Sequence, residues 1–233
     1  MRLHNFFLKQ KIGDSAKIAV AEKEILHQWI KVFRMKAGDS VILFDNSGDE
    51  FVSRIELLLE DNEAVLEIIE RRRNENIPAK KVHLFQSFVK KDKFEWICEK
   101  ATELGVSAIR PVLSERSEKK DMNRDRLERI IKEAAEQSGR GVLPVLNEVV
   151  GLEKALSSLE GTAIAFHLEG EKFNAKNFLK PEIISIFIGP EGGWSPTEIK
   201  MFQEKNIPLF SFGRQILRSE TAAVAATALV LLG

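Results

Sequence analysis

The stretch that decides the fold is residues 183–198, which read IISIFIGPEGGWSPTE. The apolar run predicts a buried strand, and the glycines that follow it predict a tight turn. Ser195-Pro196-Thr197-Glu198 is typical of a helix start, with a serine cap, a proline in the first turn and a capping-box glutamate. A strand, a glycine turn and a helix in succession indicate one unit of an α/β sheet.

The same alternation extends on both sides of this unit. Helices are predicted over 93–104 and 125–137 from the helical spacing of their apolar residues. Strands are predicted over 82–89, 106–113, 163–168 and 209–212. Strands that alternate with helices predict a mostly parallel sheet covered on both faces.

Residues 39–70 have a different pattern, in which β-branched and aromatic runs are separated by turn residues. This pattern predicts a β-meander within a small barrel, interrupted upstream by one helix over 21–33. The polar run 71–78 ends in proline and is expected to be the linker. We therefore predict a small barrel domain over 1–72 and an α/β domain over 73–233.

Composition limits the classes of function. The 233 residues carry no net charge, but residues 71–140 hold 18 basic and 12 acidic side chains. Such an excess favours binding to phosphate backbones, although a solvated surface is the simpler alternative. The single Cys98 excludes an intrachain disulfide and a cysteine-rich zinc site, and the four scattered histidines predict no metal.

The ends of the chain predict a cytoplasmic protein that is not in the membrane. Its start lacks the pattern of a secretory signal, and the apolar run 221–232 is shorter than the ~20 residues that span a bilayer. A helix over 220–232 would be apolar on nearly every side. We expect it to be buried against more than one surface, with a subunit interface as one of them.

A second turn, residues 213–221, reads GRQILRSET and places charges between a strand end and this apolar helix. Arg218 and Glu220 need partners if they are buried, and a structural ion pair between the two is one alternative. The glycine loop at 188–193 matches neither the dinucleotide nor the P-loop spacing, so it is either a ligand cradle or a tight connection. The sequence contains no G-x-S-x-G elbow, so a serine hydrolase is not indicated.

Four blocks of sequence together carry a family resemblance: 188–195, 213–222, 100–106 with 114–117, and 133–140. In this order they resemble the RsmE-like uridine N3-methyltransferases of the knotted SPOUT superfamily, over nearly the whole chain. Gln215 and Asn5 depart from the pattern, since the family usually has arginine at both positions.

The resemblance implies a PUA-like amino-terminal barrel and a SPOUT α/β domain with a trefoil knot that binds S-adenosylmethionine. It also implies a homodimer through the SPOUT domain and methylation of N3 of uridine 1498 in 16S rRNA of the 30S subunit. Alternatives are a related knotted enzyme acting on ribose 2′-O or guanine N1, and a non-catalytic RNA-binding ribosome-assembly protein.

Site residues follow from the converging strand ends and from the outer helix faces. Arg218 is expected to stabilise charge on the uridine oxygens, with Glu220 orienting Arg218 or accepting the proton. The expected cofactor-binding residues are Phe166, His167, Leu168, Glu169, Ile188, Gly189, Pro190, Glu191, Gly192, Phe212, Gly213, Ile216, Leu217, Thr221 and Ala222. The expected RNA-binding residues are Lys93, Lys100, Glu103, Arg116, Arg129, Lys132, Gln137 and Arg140.

Overall fold

A computed structural model describes residues 3–59, 63–117 and 122–232 of the chain. These residues form two compact units. The first comprises Met1–Ile77 and Ala135–Leu143, and the second comprises Pro78–Ala134 and Pro144–Gly233.

The first unit is built on a five-stranded mixed sheet in the order β1-β3-β4-β5-β2. Strands β3, β4 and β5 form the predicted antiparallel meander, while β1 pairs parallel to β3. A π-helical turn at Gln28–Val32 continues α1. The elements are β1 (Asn5–Phe7), β2 (Lys17–Val20), α1 (Lys23–His27), β3 (Ser40–Phe44), β4 (Asp49–Leu59) and β5 (Glu63–Arg73).

The core of the first unit surrounds Trp29, which is fully buried. The ring of Phe6 meets Trp29 edge to face at 5.5 Å, a geometry that aromatic pairs prefer. Ile25, Leu43 and Leu66 close the same cluster. The helical spacing of Ile25 and Trp29 therefore brings the predicted helix onto the sheet.

The predicted linker begins too early. Arg71, Arg72 and Arg73 are the last residues of β5, where Arg73 lies opposite Asp49 and Arg72 opposite Glu50. Arg72 binds the carboxylate of Glu50 at 2.5 Å, so the strand pairs each of these cations with an acidic side chain across it. The predicted domain boundary, between residues 72 and 73, lies at the end of this strand.

The second unit contains the predicted parallel sheet, in the order β12-β10-β11-β6-β7-β8, with β9 also paired to β7. All of its pairings are parallel. The elements are β6 (Lys81–Ser87), α2 (Lys91–Leu104), β7 (Ala108–Leu113), α3 (Arg124–Ser138), β8 (Val145–Leu146), β9 (Val150–Gly151), α4 (Leu152–Ser157), β10 (Thr162–Lys172), β11 (Ile183–Ile188), α5 (Pro196–Glu204), β12 (Leu209–Ser211) and α6 (Ser219–Leu231). The last turn of α3, from Ala135 onward, belongs to the first unit.

Strand β11 lies inside the sheet and is apolar except for Ser185, because both of its faces are covered. Phe187 stacks on Phe85 of β6 at 4.3 Å, and Phe202 of α5 closes on Phe187 edge to face. In register, Ile188 lies between Phe166 of β10 and Gln86 of β6. The carboxyl ends of β6 and β11 therefore meet the middle of β10 beside the glycine loop.

Helix α6 is only partly covered within the second unit. It packs against α2, β6 and β11, as a helix apolar on several sides should. Leu229 and Leu232 nevertheless remain 42% and 73% exposed. Among the described residues, no helix has both the length and the apolar character needed to cross a bilayer.

Candidate functional site

A cavity of about 410 Å³ opens within the second unit, at the carboxyl ends of β11 and β12 and beside the middle of β10, where the register of β10 against β12 shifts. Small-molecule sites commonly have volumes of roughly 300–1,000 Å³. The loops that follow β11 and β12 supply most of its wall, together with Phe166, His167 and Leu168 of β10. Such a position, outside the carboxyl ends of parallel strands, is where ligands bind in open α/β sheets.

The glycine loop, residues 189–193, forms one wall. Gly193 has a φ of +65° and donates its N–H to the carbonyl of Pro190 at 2.9 Å, so the left-handed conformation closes the turn. A Cβ at Gly189 would lie 3.3 Å from the ring of Trp194. The ring is itself fixed, because its Nε1–H donates to the carbonyl of Phe166 at 3.0 Å.

Ser219, at the start of α6, binds Gly189, the first residue of this loop. Its hydroxyl donates to the carbonyl of Gly189 at 2.6 Å and accepts from the buried Nε2 of Gln86 at 3.0 Å. Gln86 is the penultimate residue of β6 and lies next to Ile188 in register, so this chain of hydrogen bonds links a central strand, the loop and the helix start. Three separate segments are thereby held in fixed positions around the cavity.

Helix α5 begins as the sequence predicts. The hydroxyl of Ser195 accepts from the backbone N–H of Glu198, and the carboxylate of Glu198 accepts from the N–H of Ser195 at 2.8 Å. The second oxygen of Glu198 accepts from the N–H of Glu115 at 2.9 Å. The predicted capping box is confirmed, and it also anchors the segment after β7.

Arg116 lies in that segment and reaches the cavity wall. Its guanidinium donates to the carbonyl of Gly192 at 2.8 Å and approaches the carbonyl of Trp194 at 3.5 Å. A Cβ at Gly192 would lie 3.3 Å from Cβ of Arg116. Arg116, predicted for RNA binding, is thus one of the residues that line the cavity.

Apolar side chains stand at the edge of the cavity with unusual exposure. Ile216 is 78% exposed and Leu168 is 61% exposed, and both line the cavity. Phe212 stacks on Phe166 at 4.5 Å nearby. Such surfaces suit a flat, partly apolar ligand, which would cover them on binding.

The two predicted catalytic side chains do not pair with each other. Arg218 is the N-cap of α6 and is exposed, with no ion pair or side-chain hydrogen bond among the described residues. Glu220 is in the first turn of the helix, and its Oε1 lies 3.4 Å from Nζ of Lys93. The alternative of an Arg218–Glu220 ion pair is wrong because residues two positions apart at a helix start point in different directions.

Most of the predicted cofactor residues line the cavity, but two do not. Glu169 is exposed on the outer part of β10, and Thr221 is exposed on α6. The sequence reasoning missed one set of lining residues: Gly193, Trp194, Phe210, Ser211, Gln215 and Ser219. Their proximity to the two quoted turns was the only sequence signal for them.

The predicted RNA-binding residues do not form one surface of unpaired charges. Lys93 and Lys100 were expected to be free, but Lys100 binds Glu99 and Glu103 at 2.8 Å each and Lys93 binds two carboxylates. Arg129 is exposed and Lys132 is half-buried on α3.

The remaining two, Gln137 and Arg140, belong to the first unit. Gln137 is exposed, whereas Arg140 is buried, which lowers its pKa to about 10. The expectation that Arg140 is available at the surface was therefore wrong. Asn5, one of the departures from the family pattern, donates to the carbonyl of Glu136 at 2.7 Å within the same unit. Gln215, the other departure, lines the cavity.

Comparison with known proteins decides the family. Residues 75–231 match the family model of an RNA methyltransferase domain, and residues 30–69 match that of an RNA methyltransferase PUA domain. The ribosomal RNA small subunit methyltransferase E of Bacillus subtilis is 30% identical over 94% of this chain and 91% of its own length. This chain belongs to the ribosomal RNA small subunit methyltransferase E family. The protein of that name from Rickettsia conorii is 27% identical over 100% of this chain and 96% of its own.

Solved structures of similar proteins agree with the fold. The ribosomal RNA small subunit methyltransferase E of Neisseria gonorrhoeae, bound to S-adenosyl methionine, superposes with a TM-score of 0.89 at 29% identity, covering 97% of this chain and 96% of its own. A putative methyltransferase of Legionella pneumophila with bound SAM gives 0.88 at 25% identity, covering 99% and 97%. The predicted SPOUT trefoil-knot domain with an amino-terminal PUA-like domain is confirmed.

Proposed function

We propose that this protein is an S-adenosylmethionine-dependent methyltransferase that modifies N3 of a uridine in 16S rRNA, with uridine 1498 as the family target. The observation that carries the proposal is the cavity at the strand ends, which combines a glycine-loop wall with the uncommitted guanidinium of Arg218. Family membership supports the same reaction. The cytoplasm, where ribosomal subunits are assembled and used, is the proposed location.

The residues present fit S-adenosylmethionine. The exposed apolar side chains of Leu168 and Ile216 suit an adenine ring, and the backbone groups of 189–193 and 212–217 suit the polar parts of the molecule. Gly189 packs so closely on Trp194 that a side chain there would have to shift the indole ring. Similar solved proteins carry this cofactor, which supports the assignment.

The uridine imide must lose its N3 proton before it becomes a good nucleophile. When bound, S-adenosylmethionine supplies the electrophilic methyl group. Arg218 is proposed to place positive charge beside the uracil oxygens, where negative charge grows as the proton leaves. The exposed position of Arg218 at the start of α6 supports this role because the helix N-terminus adds a favourable field of the same sign.

Glu220 is proposed to act behind the cavity rather than on the substrate. It does not line the cavity, and its Oε1 is committed to Lys93. The sequence predicts that Glu220 either orients Arg218 or accepts the proton. The structure supports neither role, since Glu220 is paired with Lys93 and lies outside the cavity lining. A role in fixing the first turn of α6 accounts for its burial and its partner.

The RNA partner is proposed to be 16S rRNA, as the naked molecule or within the 30S subunit. A uridine that is methylated on N3 must have its Watson–Crick edge free, so the target should be unpaired or extruded from its stack. Within the predicted set, Arg129 best supports contact with the RNA backbone, because it is exposed and forms no ion pair with any residue that the structure describes.

We further propose a homodimer that buries the exposed apolar side of α6. Leu229 and Leu232 are large apolar side chains left uncovered within the second unit. Exposed apolar patches of this kind mark subunit interfaces. Light scattering should give a dimer mass for the wild type and a monomer mass for a Leu229→Glu, Leu232→Glu double variant. A wild-type monomer at micromolar concentration would contradict the proposed assembly.

The function is tested by methyl transfer in vitro. Purified protein, methyl-labelled S-adenosylmethionine and either 30S subunits or naked 16S rRNA from a deletion strain are incubated, and the digested RNA is analysed by mass spectrometry. We expect one 3-methyluridine, at position 1498. A methyl group on ribose 2′-O or on guanine N1 would favour a related enzyme, and binding without any transfer would favour an assembly protein.

A further inference from the structure

The side chain of Lys93 joins three elements of the second unit. Lys93 lies in the first turn of α2, and its Nζ is 3.1 Å from Oε1 of Glu191 in the glycine loop. The same ammonium lies 3.4 Å from Oε1 of Glu220 in the first turn of α6. One cation therefore links α2 to both segments that flank the opening of the cavity.

Glu191 is exposed, but the partial burial of Lys93 and Glu220 makes the contact between these two more than a surface ion pair. The side chain of Lys93 is 22% exposed and that of Glu220 is 14% exposed. Partly buried charges are screened by solvent and salt much less than exposed ones. Oε2 of Glu220 is buried and has no hydrogen-bond partner in the described part of the chain, so Lys93 supplies the counter-charge of that carboxylate.

Charge balance gives Lys93 a second effect. Without its ammonium, the carboxylates of Glu191 and Glu220 would face each other with no cation between them and would repel. The hydrogen bond to Glu191, together with the charges of both carboxylates, raises the pKa of Lys93. The lysine therefore stays charged across the neutral range.

Other contacts hold the same loop from different directions. Arg116 holds the carbonyl of Gly192, and Ser219 holds the carbonyl of Gly189. These two contacts fix the backbone of the loop, but neither reaches the carboxylate of Glu191. Lys93 does not line the cavity itself, so any effect it has on a ligand passes through the loop and α6.

We propose that Lys93 is a positioning residue that holds the glycine loop against the first turn of α6 and so presets the cavity for the methyl donor. The proposal rests on the proposed function for the identity of that donor. It replaces an RNA contact as the role of Lys93. The brace itself is a property of the protein without ligand, so it can be tested separately.

Hydrogen–deuterium exchange of the ligand-free protein tests the brace. In Lys93→Met, amides of peptides covering 189–193 and 219–222 should exchange at least about fivefold faster, because the ion pairs no longer oppose local opening. Lys93→Arg should stay close to wild type, and Lys91→Met, an exposed neighbour on the same helix, is the matched control. Unchanged exchange in 189–193 would overturn the proposal.

A second variant covers the possibility that Lys93→Met folds poorly. Glu191→Gln removes one partner and leaves the lysine paired to Glu220. It should accelerate exchange in 189–193 and leave 219–222 near wild type. If both variants leave both peptides unchanged, the three side chains do not brace the cavity.

Calorimetry with S-adenosylhomocysteine then tests the consequence for ligand binding. Lys93→Met should raise the Kd about fivefold, in step with the faster exchange, while Lys93→Arg should restore binding. Failure of the wild type to bind this ligand would refute the proposed cofactor, whereas the exchange experiment would still decide the brace. Weakened RNA binding with normal exchange and normal Kd would overturn the proposal in favour of an RNA contact.

Discussion

At the scale of single residues, the charged turn before α6 shows what sequence can and cannot predict. The segment 213–221 was identified because its charges precede an apolar helix, and Arg218 does line the cavity. The partner of Glu220 could not be predicted, because Lys93 is 127 positions away (220 − 93) and only the fold brings them together. Short-range pattern therefore identified the site, whereas long-range contacts decide the roles of its residues.

Arg218 has a close control in Arg214, which is exposed on the same turn, has no described partner and does not line the cavity. We expect Arg218→Ala to slow single-turnover methylation by roughly 10²-fold, the usual loss when one charge-stabilising group is removed. Arg214→Ala should stay within a few-fold of wild type. Rates are measured with saturating cofactor and RNA. Equal rates for Arg218→Ala and wild type would show that this guanidinium has no part in the chemistry.

Gly192 tests the cavity assignment at the level of one atom. A Cβ there would lie 3.3 Å from Arg116, so a tryptophan must turn its ring toward the cavity or displace the arginine. We expect Gly192→Trp to raise the Kd of S-adenosylhomocysteine at least about tenfold, since overpacking typically costs 1–3 kcal/mol. Gly151→Trp, at an exposed position with open space around it, is the control for added bulk. Unaltered affinity in titration calorimetry would place the ligand elsewhere.

At the scale of elements, local signals were the reliable ones. The start of α5 was predicted from four residues, because a capping box is completed within one turn. The strands β1 and β2 were not predicted, since each is short and is defined by its pairing with a distant strand. The chain Gln86, Ser219 and Gly189 was missed for the same reason.

The α5 cap allows a graded stability prediction. Ser195→Ala should cost about 1 kcal/mol of unfolding free energy, the usual value for loss of an N-cap. Glu198→Ala should cost more, about 3 kcal/mol, because it leaves the buried N–H of Ser195 and the partly buried N–H of Glu115 without their acceptor. Thr197→Ala, in the same turn but exposed, should stay within about 0.5 kcal/mol of wild type. Urea unfolding gives the order, and equal costs for the three variants would contradict the account of the cap.

Strand β6 carries a buried histidine whose titration should appear in the pH dependence of stability. Burial, and secondarily the charge of Arg110, lowers the pKa of His83, and its Nδ1 has no hydrogen-bond partner in the described part of the chain. The unfolded chain therefore binds a proton more readily than the folded one. Stability should be unaffected above the unfolded pKa of ~6.5 and should fall as the pH drops below it.

The measurement compares wild type with His83→Leu by urea unfolding between pH 8 and pH 5. The unfolding free energy of wild type minus that of His83→Leu should be constant from pH 8 to pH 7 and should decrease toward pH 5. Groups other than His83 titrate alike in both proteins and cancel. A difference that is flat across the whole range would show that His83 does not titrate differently on folding.

At the scale of the whole molecule, charge counting was a poor guide to a binding surface. The basic excess of residues 71–140 was real, but the structure commits much of it to internal ion pairs. Arg71, Arg72, Lys93, Lys100 and Arg126 each bind a carboxylate. The fold class could be predicted because periodicity reports burial. The unpaired charges could not be predicted, because ion pairing depends on tertiary contacts. The domain boundary between residues 72 and 73 stays a prediction.

Arg129 is the residue on which the RNA-surface prediction now depends most. It is exposed on α3 and has no ion pair with a described residue, unlike Lys100, which is held by two carboxylates. If Arg129 contacts a phosphate, its removal should reduce the slope of log K against log salt concentration by about 0.7 to 0.9, the contribution of one phosphate contact. Lys205→Ala removes an exposed cation outside the predicted set and should leave the slope unchanged. Lys100→Ala should change the slope less than Arg129→Ala, because the charge of Lys100 is already balanced within α2.

The slopes are measured by filter binding of a 16S rRNA fragment between about 50 mM and 200 mM salt, the range in which counterion release dominates affinity. Equal slopes for Arg129→Ala and Lys205→Ala would remove Arg129 from the RNA surface and leave the RNA contacts to other parts of the chain.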